Sequence, residues 1–309
     1  MTTNTSLKQG ELKFQKFDDI KVSTKTIIAA TNISLSIIPL YDTLTVSPYI
    51  IEERKRGRKK RDEIIDPNIG LPDGSIISID YMGKVRGAIF GKRSRKGERA
   101  KYFRNAVTII MMMDGKRVNF KVSSNGKFQM TGCKSTVQAE KVVKSFWEQI
   151  KDRTTLYTIA KDGPFSVLFV PAMRNIDFSV GFFIDREKLS QYINQYTNYY
   201  SILEASFGYT GLNVKFPVNN DIEKLSIRKL SYDGISWSSE KAHFKDYLDM
   251  LSPKERDKAL IKKRYTTFLV FQSGKVIQSG MCSEYQRPVY DIFIDIINNS
   301  YEMIRERIG

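Results

Sequence analysis

Alternating apolar and polar positions give the clearest pattern in this chain. From Val107 to Gly132 the sequence runs VTIIMMM, DG, KRVNFKV, SSNG and KFQMTG. Asp-Gly and Asn-Gly between apolar or alternating runs are strong hairpin signals, because both turn positions can take a positive φ. The pattern predicts a three-stranded antiparallel meander.

An amphipathic helix is predicted directly after this meander. Ser135 and Gln138 have the spacing of a capping box, which satisfies free backbone N–H groups at a helix start. Apolar residues then recur with the phase of one helix face, at Val142, Val143, Phe146, Trp147 and Ile150. The predicted unit is therefore a set of strands followed by one helix.

The same plan occurs a second time. YTGLNVKF (Tyr209–Phe216) and RYTTFLVFQSGKVIQSG (Arg264–Gly280) predict strands, and Gly274 lies 148 positions after Gly126. Ser283 and Gln286 repeat the capping spacing, and apolar pairs repeat the helix phase at Ile292, Phe293, Ile296 and Ile297. We expect this second helix to begin at Pro288, because proline is tolerated in the first turn of a helix and not in its interior.

One further strand is predicted upstream of each copy, at residues 26–37 and 175–184, with an offset of 149. Asp185–Gln195 follows the second of these strands and has the apolar spacing of a helix. Such internal similarity indicates a duplicated unit. Strands followed by helices on one side of an antiparallel sheet belong to the α+β class.

The predicted organisation has three parts. Residues 1–22 form a flexible N-terminal segment, residues 23–155 a first repeat and residues 156–309 a second repeat. Two insertions interrupt the repeats, a loop-like one at about 51–104 and one at about 217–264, where the stretch SSEKAHFKDYLDMLSPKERDKALIKKR looks helical.

The charge narrows the choice of partner. The formal net charge is +16, and half of it falls in residues 51–104, which hold 16 Lys and Arg against 8 Asp and Glu. Such a chain favours an anionic partner, either nucleic acid or a membrane surface. The basic run ERKRGRKKR (Glu53–Arg61) fits a nuclear-import signal, a nucleic-acid arm or a solvated loop, of which we favour nucleic-acid contact. Membrane insertion is not expected, since runs such as FSVLFVPAM are about half the roughly 20 residues that span a bilayer.

Catalytic and metal-binding patterns are weak in this sequence. The chain has two cysteines, Cys133 and Cys282, and one histidine, His243, so we expect a reducing compartment, no structural metal and no cofactor. HExxH, GxxxxGK[ST] and GxSxG do not occur. An enzyme is not expected; a nuclease that binds magnesium through Asp177 and Asp185 is the alternative from that class.

Three stretches resemble one known family. TTFLVFQSGKVIQSG (Thr266–Gly280), GKFQMTGCKS (Gly126–Ser135) and YTGLNVKF (Tyr209–Phe216) are similar to motifs of the TATA-box-binding proteins. The insertions and the residues of the first-repeat motif look most like those of the divergent members carried by large DNA viruses of eukaryotes. The resemblance implies a pseudo-twofold saddle, in which a curved antiparallel sheet of about ten strands carries four helices on its convex face. Its concave face would lie on the minor groove, where members of this family insert side chains between base steps.

The resemblance also implies a function. We expect a transcription initiation factor that binds AT-rich, double-stranded promoter DNA as a monomer and recruits a transcription-factor-IIB-like protein and RNA polymerase. It would act in the host nucleus or in a cytoplasmic viral factory. A scaffold of the same fold that has lost DNA bending is the alternative from the class of interaction proteins.

Family positions fall on specific residues. In the second repeat Phe271 and Tyr209 match the aromatic wedges and Asn175 the central asparagine, while the remaining contacts fall on Leu212, Lys215, Lys275, Ile277 and Ser279. In the first repeat the matching positions are Thr26, Ile28, Lys127 and Thr131. There the chain departs from the family, because Gln129 replaces a valine and the wedge position falls on Val122 or Ser123. Phe103 or Phe120 is expected to supply the missing aromatic side chain. Asp177 also replaces a valine of the family.

Overall fold

The computed structural model describes residues 13–51, 68, 70–90, 103–159, 163–204, 211–218 and 221–306. ERKRGRKKR, the following basic run GKRSRKGERAK and Tyr209 lie outside these residues. The chain divides into two compact units. The first unit comprises Thr24–Ala172 and Asp221–Ile261, and the second comprises Met1–Ser23, Met173–Asn220 and Lys262–Gly309.

Fifteen strands and six α-helices occur in the described part of the chain. The strands are β1 (Val22–Thr31), β2 (Ile33–Leu35), β3 (Ile76–Tyr81), β4 (Lys84–Gly87), β5 (Ala106–Met113), β6 (Lys116–Ser123), β7 (Lys127–Met130), β8 (Tyr157–Ile159), β9 (Phe165–Ser179), β10 (Tyr200–Glu204), β11 (Gly211–Pro217), β12 (Ser226–Tyr232), β13 (Trp237–His243), β14 (Tyr265–Phe271) and β15 (Lys275–Gly280). The helices are α1 (Ile37–Thr43), α2 (Thr136–Ile150), α3 (Arg186–Tyr196), α4 (Phe244–Asp249), α5 (Pro253–Ile261) and α6 (Ser283–Ile304).

In the first unit, antiparallel strands follow the order β1-β7-β6-β5-β3-β4. One side of this sheet packs on α2, where Phe128 and Phe146 meet edge to face with ring centroids 5.0 Å apart. Hairpin β12–β13 pairs with the first part of β9. Arg228 of β12 forms an ion pair with Glu140 of α2, and Trp147 of α2 stacks on Phe165 at 4.0 Å.

In the second unit, the order is β10-β11-β14-β15 followed by the last part of β9. One side of this sheet packs on α6, where Phe268 and Phe293 stack with ring centroids 4.0 Å apart. Leu189 and Ile193 of α3 are buried in the same core. The prediction of an α+β fold with antiparallel strands and packed helices is confirmed.

Most predicted elements occur close to their expected positions. Asp114 and Gly115 have φ of 51° and 66° in the β5–β6 turn, as a tight hairpin requires. The side chain of Ser135 accepts a hydrogen bond from the Gln138 N–H at 3.1 Å and so caps α2. Asp185 caps α3 in the same way, by accepting from Lys188 N–H at 3.1 Å.

The predicted start of the second long helix was wrong. Helix α6 begins at Ser283, so Pro288 lies inside it and leaves one backbone carbonyl without its helical donor. Contacts with the sheet hold this first turn, since Gln278 Nε2 donates to Gln286 O at 2.8 Å and Thr266 Oγ1 to Tyr285 O at 3.3 Å. Tertiary hydrogen bonds therefore offset the cost of the proline.

The structure also corrects the predicted insertions and N-terminal segment. Residues 51–104 contain the strands β3 and β4, with three isoleucines in the core. Residues 237–243 form a strand, and the α-helices that the structure describes in the second insertion are α4 and α5. Phe17 and Ile20 are buried in the core of the second unit, so these two residues of the predicted flexible segment anchor it to the fold. Along the chain, one unit ends at Ala172 and the other resumes at Met173, whereas the repeats were predicted to divide between residues 155 and 156. Asp221–Ile261, most of the second insertion, belongs to the first unit.

Within the residues described, no helix is both long and apolar enough to cross a membrane.

Candidate nucleic-acid interface

Each unit has one sheet side that packs on a helix and one that does not; we call the second side the open face. Strand alternation decides which side chains lie there. In the second unit Phe268 and Val270 of β14 and Val276 of β15 point into the core. Their neighbours in the chain therefore line the open face: Thr267, Leu269, Phe271, Lys275, Ile277 and Ser279.

The strand register brings the predicted contact residues of the second unit together. Ile277 pairs with Leu269 on one side and Asp177 on the other. Ser279 pairs with Thr267 on one side and Asn175 on the other. On the next strand, Lys215 pairs with Thr267. The result is a patch of apolar and weakly polar side chains that also contains the carboxylate of Asp177, with lysines at its margins, Lys215 and Lys275.

Gly211 has a local role in this patch. It pairs with Phe271, and a Cβ at this position would lie 2.5 Å from Leu269 Cδ1. The absence of a side chain lets Leu269 lie across the open face beside the phenylalanine. The Gly-Leu pair of YTGLNVKF therefore has a packing reason that the sequence did not reveal.

Two polar groups lie on the same face. The Asn175 side-chain oxygen, Oδ1, is shielded from solvent and has no hydrogen-bond partner among the residues described. Buried polar atoms usually have a partner, so this unpaired oxygen is unusual. Asp177 is exposed and accepts a hydrogen bond from Ser23 Oγ at 3.1 Å.

The open face of the first unit is more polar. Ile28 pairs with Gln129, Gln129 with Lys121, and Lys121 with Thr108. Thr131 follows directly after β7 and is exposed. This face holds two lysines, Lys121 and Lys127, but fewer apolar side chains than the face of the second unit.

The structure distinguishes between the two aromatic candidates of the first unit. Phe120 is fully buried and stacks on Phe128 at 6.0 Å, so it cannot reach a ligand. Phe103 is 62% exposed, and Lys121 Nζ lies 4.3 Å from its ring centroid. An exposed aromatic ring beside a cation is thus present in the first unit as well.

Two expected contact residues are placed differently. Leu212 is fully buried in the core of the second unit and pairs with Val270, so its side chain points away from the open face. Thr26 lies in phase with Ile28 on the open-face side of β1, but it is only 7% exposed. We therefore leave Leu212 out of the candidate interface.

One predicted cation already has a partner. Lys127 Nζ lies 3.3 Å from Glu255 Oε1, which belongs to helix α5 of the second insertion. Hydrogen bonds from Ser252, together with the charge of Lys127, lower the pKa of Glu255, so this carboxyl is ionised at neutral pH. Helix α5 therefore lies beside the open face of the first unit.

Some residues of the interface were missed by sequence reasoning. Leu269, Thr267 and Asn213 lie on the open face of the second unit, and Lys121 and Thr108 on that of the first. Counting every second residue back from Phe271 finds Leu269 and Thr267, because alternation has a period of two. That signal was present in the sequence.

The residues of the nuclease alternative have other roles. Asp185 caps α3 and forms an ion pair with Lys188 at 3.3 Å. Hydrogen bonds from the backbone and side chain of Lys188 lower the pKa of Asp185, although burial acts in the opposite direction. No group of three or more acidic, histidine or cysteine side chains suited to a metal occurs in the described ranges.

Comparisons with known proteins point to one family. The family model "Transcription factor TFIID (or TATA-binding protein, TBP)" matches residues 92–153. A TATA-box-binding protein-like protein of Acanthamoeba polyphaga mimivirus is 25% identical over 250 residues, which cover 72% of this chain and 64% of that protein. The uncharacterized protein 335L of Invertebrate iridescent virus 6 is 25% identical over 219 residues, which cover 66% of this chain and 64% of that protein.

A solved structure, the TBP of Methanococcus jannaschii, aligns with a TM-score of 0.44 at 12% identity, over 91% of this chain and 98% of the other. This chain spans slightly less than two thirds of the length of the two viral relatives. The family match over residues 92–153 and these two relatives make this chain similar to divergent viral proteins of the TATA-box-binding-protein-like type.

Proposed function

We propose that this protein is a DNA-binding transcription initiation factor whose open faces contact the minor groove of AT-rich promoter DNA. The proposal draws on the family match and on the open face of the second unit. There Leu269, Ile277, Thr267 and Ser279 form a contiguous apolar and weakly polar patch with lysines at its margins.

The chemistry of the minor groove fits that patch. The edges of A·T pairs offer only acceptors in the minor groove, and the groove is narrow, so apolar contact and shape contribute most of the recognition. Lysines at the margins suit the phosphates on either side of the groove. Asn175 also lies within the patch, and the N–H groups of its amide suit the acceptors on A·T edges.

Aromatic wedges complete the proposed contact. Phe271 ends strand β14 on the open face of the second unit, and Phe103 is exposed in the first. Apolar wedges that enter the minor groove between base steps unstack them and kink the duplex. We assign this role to both phenylalanines, and also to Tyr209, which lies outside the described residues.

The proposal extends to partners and location. The packed helices and the insertions would contact a transcription-factor-IIB-like protein and RNA polymerase, with one copy of the chain on each DNA site. The site of action would be the host nucleus or a cytoplasmic viral factory. The protein would act by binding and bending DNA, not as an enzyme.

One substitution tests the open face directly. Ile277→Asp places a carboxylate in the patch, where it would face DNA phosphates. Juxtaposed like charges at an interface cost several kcal/mol, so affinity for an AT-rich duplex should fall at least about tenfold. Fluorescence anisotropy of a labelled duplex measures this change, and netropsin, a minor-groove ligand, should compete with the wild-type protein.

Val137→Asp is the matched control, because Val137 is an exposed apolar residue of helix α2. It adds the same charge and should leave affinity unchanged. Equal affinities for Ile277→Asp and the control would contradict the proposal, and so would wild-type binding that netropsin does not reduce. Absence of any duplex binding would favour a scaffold, and magnesium-dependent cleavage of the duplex would favour a nuclease.

A further inference from the structure

Helix α5 has an unusually exposed set of side chains. None of its nine residues is buried. Helices this short are marginal in water unless tertiary contacts support them. Here the support comes from ion pairs: Glu255 with Lys127 at 3.3 Å and Arg256 with Asp249 at 3.0 Å.

Those ion pairs fix the side of α5 that faces outward. Glu255 and Arg256 face the unit, while Lys254 and Lys258, which are four residues apart, share an exposed stripe of the helix. They lie about 6 Å apart along the helix axis. Neither lysine forms an ion pair with any residue that the structure describes.

The position of this stripe points to DNA phosphates as its ligand. Because Glu255 contacts Lys127, the helix stands at the margin of the first unit's open face. A duplex on that face would bring its phosphates toward α5. Two unpaired cations at such a margin match phosphate oxygens, whereas an apolar or acidic helix there would repel or obstruct DNA.

We propose that α5 is a second DNA-binding element, which contacts backbone phosphates through Lys254 and Lys258. The Glu255–Lys127 pair positions the helix beside the open face. This inference rests on the proposed function, since it assumes a duplex on the open face, and it assigns a role to the second insertion. Phosphate contacts carry no base information, so α5 adds affinity without changing sequence preference.

The double variant Lys254→Gln/Lys258→Gln tests the inference. Both side chains are exposed, so the change removes two charges and should leave the fold intact. Binding to an AT-rich duplex is measured over a range of salt concentrations, because each phosphate contact adds about 0.9 to the slope of log affinity against log salt. The slope should fall by about 1.8, and the preference for AT-rich over GC-rich duplexes should stay the same.

Lys13→Gln/Lys16→Gln is the matched control. These two lysines are exposed and precede Phe17, which packs on Tyr290 of helix α6. The control removes the same total charge, and its slope should equal that of the wild type. Equal slopes for the two double variants would overturn the role of α5.

The two proposals fail in different ways. If Ile277→Asp weakens binding while the α5 variant behaves like its control, the open face binds DNA and α5 does not. If the wild-type protein binds no duplex, both proposals are wrong.

Discussion

Phe103 and Phe271 are the residues on which the proposed DNA contact most depends. Strand alternation places Phe271 on the open face, whereas Phe103 precedes β5 and is exposed beside Lys121. The cation near the ring would also lie near phosphates once the ring entered a base step. The first unit therefore has an aromatic candidate even though the position where the family resemblance expected one falls on Val122 or Ser123.

The two cysteines allow a test of the packing at residue scale. Cys133 and Cys282 are buried, and burial raises the pKa of each thiol to about 12. The thiolate is the reactive form, and with so high a pKa almost none is present at pH 8. We expect neither cysteine to react with iodoacetamide in the native protein, and both to react after unfolding in urea. Mass spectrometry measures the labelling. Rapid labelling of either cysteine under native conditions would contradict the burial of its thiol.

Residue positions on the sheet were predictable where alternation and resemblance agreed. Asn175, Ile277 and Ser279 were assigned by resemblance, and strand parity puts them on one face. Leu212 was assigned without regard to parity: it lies one residue from Gly211 and Asn213, and that single step places it in the core. Thr26 has the right parity but is covered, which no local pattern reveals.

At the scale of elements, two glycine turns lie at corresponding positions of the predicted repeat. Gly126 and Gly274 have φ of 69° and 74°. A Cβ at Gly126 would lie 2.1 Å from Ile33 O, and one at Gly274 would lie 2.0 Å from Phe182 O. The glycines are 148 positions apart and the two carbonyls 149, so each turn approaches the backbone at a corresponding place. This close approach supplies a physical reason for the similarity of SSNGKF and QSGKV.

Gly274→Ala should therefore destabilise the protein. A non-glycine residue at this φ costs about 1–2 kcal/mol, and the collision with Phe182 O adds to that cost. Gly115→Ala is the control, because Gly115 has a similar φ of 66° but open space around its Cβ position. Thermal melts should show a larger loss for Gly274→Ala. Equal losses would mean that the close approach does not contribute.

Elements with a strong local signal were predictable, and those without one were not. The Asp-Gly and Asn-Gly turns identified β5, β6 and β7, and the Ser135 cap identified the start of α2. Strand β3 (IISIDY) is apolar, but it lies in a region dominated by charge, which indicated a loop. Strand β13 (WSSEKAH) has no alternation because it pairs with β12 alone and is mostly exposed. Pairing with β12 stabilises that strand. Pro288 likewise stays within a helix because tertiary hydrogen bonds hold the first turns of α6.

At the scale of the whole molecule, the net charge of +16 and the two open faces both support the proposed binding to DNA. Charge alone attracts any polyanion, and it would give binding without bending. The open faces add a specific geometry, with one aromatic candidate in each unit, the exposed Phe103 and the half-buried Phe271. Bending of the duplex therefore separates the proposed function from simple electrostatic attraction.

The most direct measurement is energy transfer between dyes at the two ends of an AT-rich duplex. Binding of the wild-type protein should raise the transfer, because a kink brings the ends together. Phe271→Ala and Phe103→Ala should each lower it. The double variant should still bind, since the lysines remain, but with a much smaller rise in transfer. Saturated binding of the wild-type protein without any rise in transfer, or a rise that the double variant retains in full, would contradict minor-groove bending by this protein.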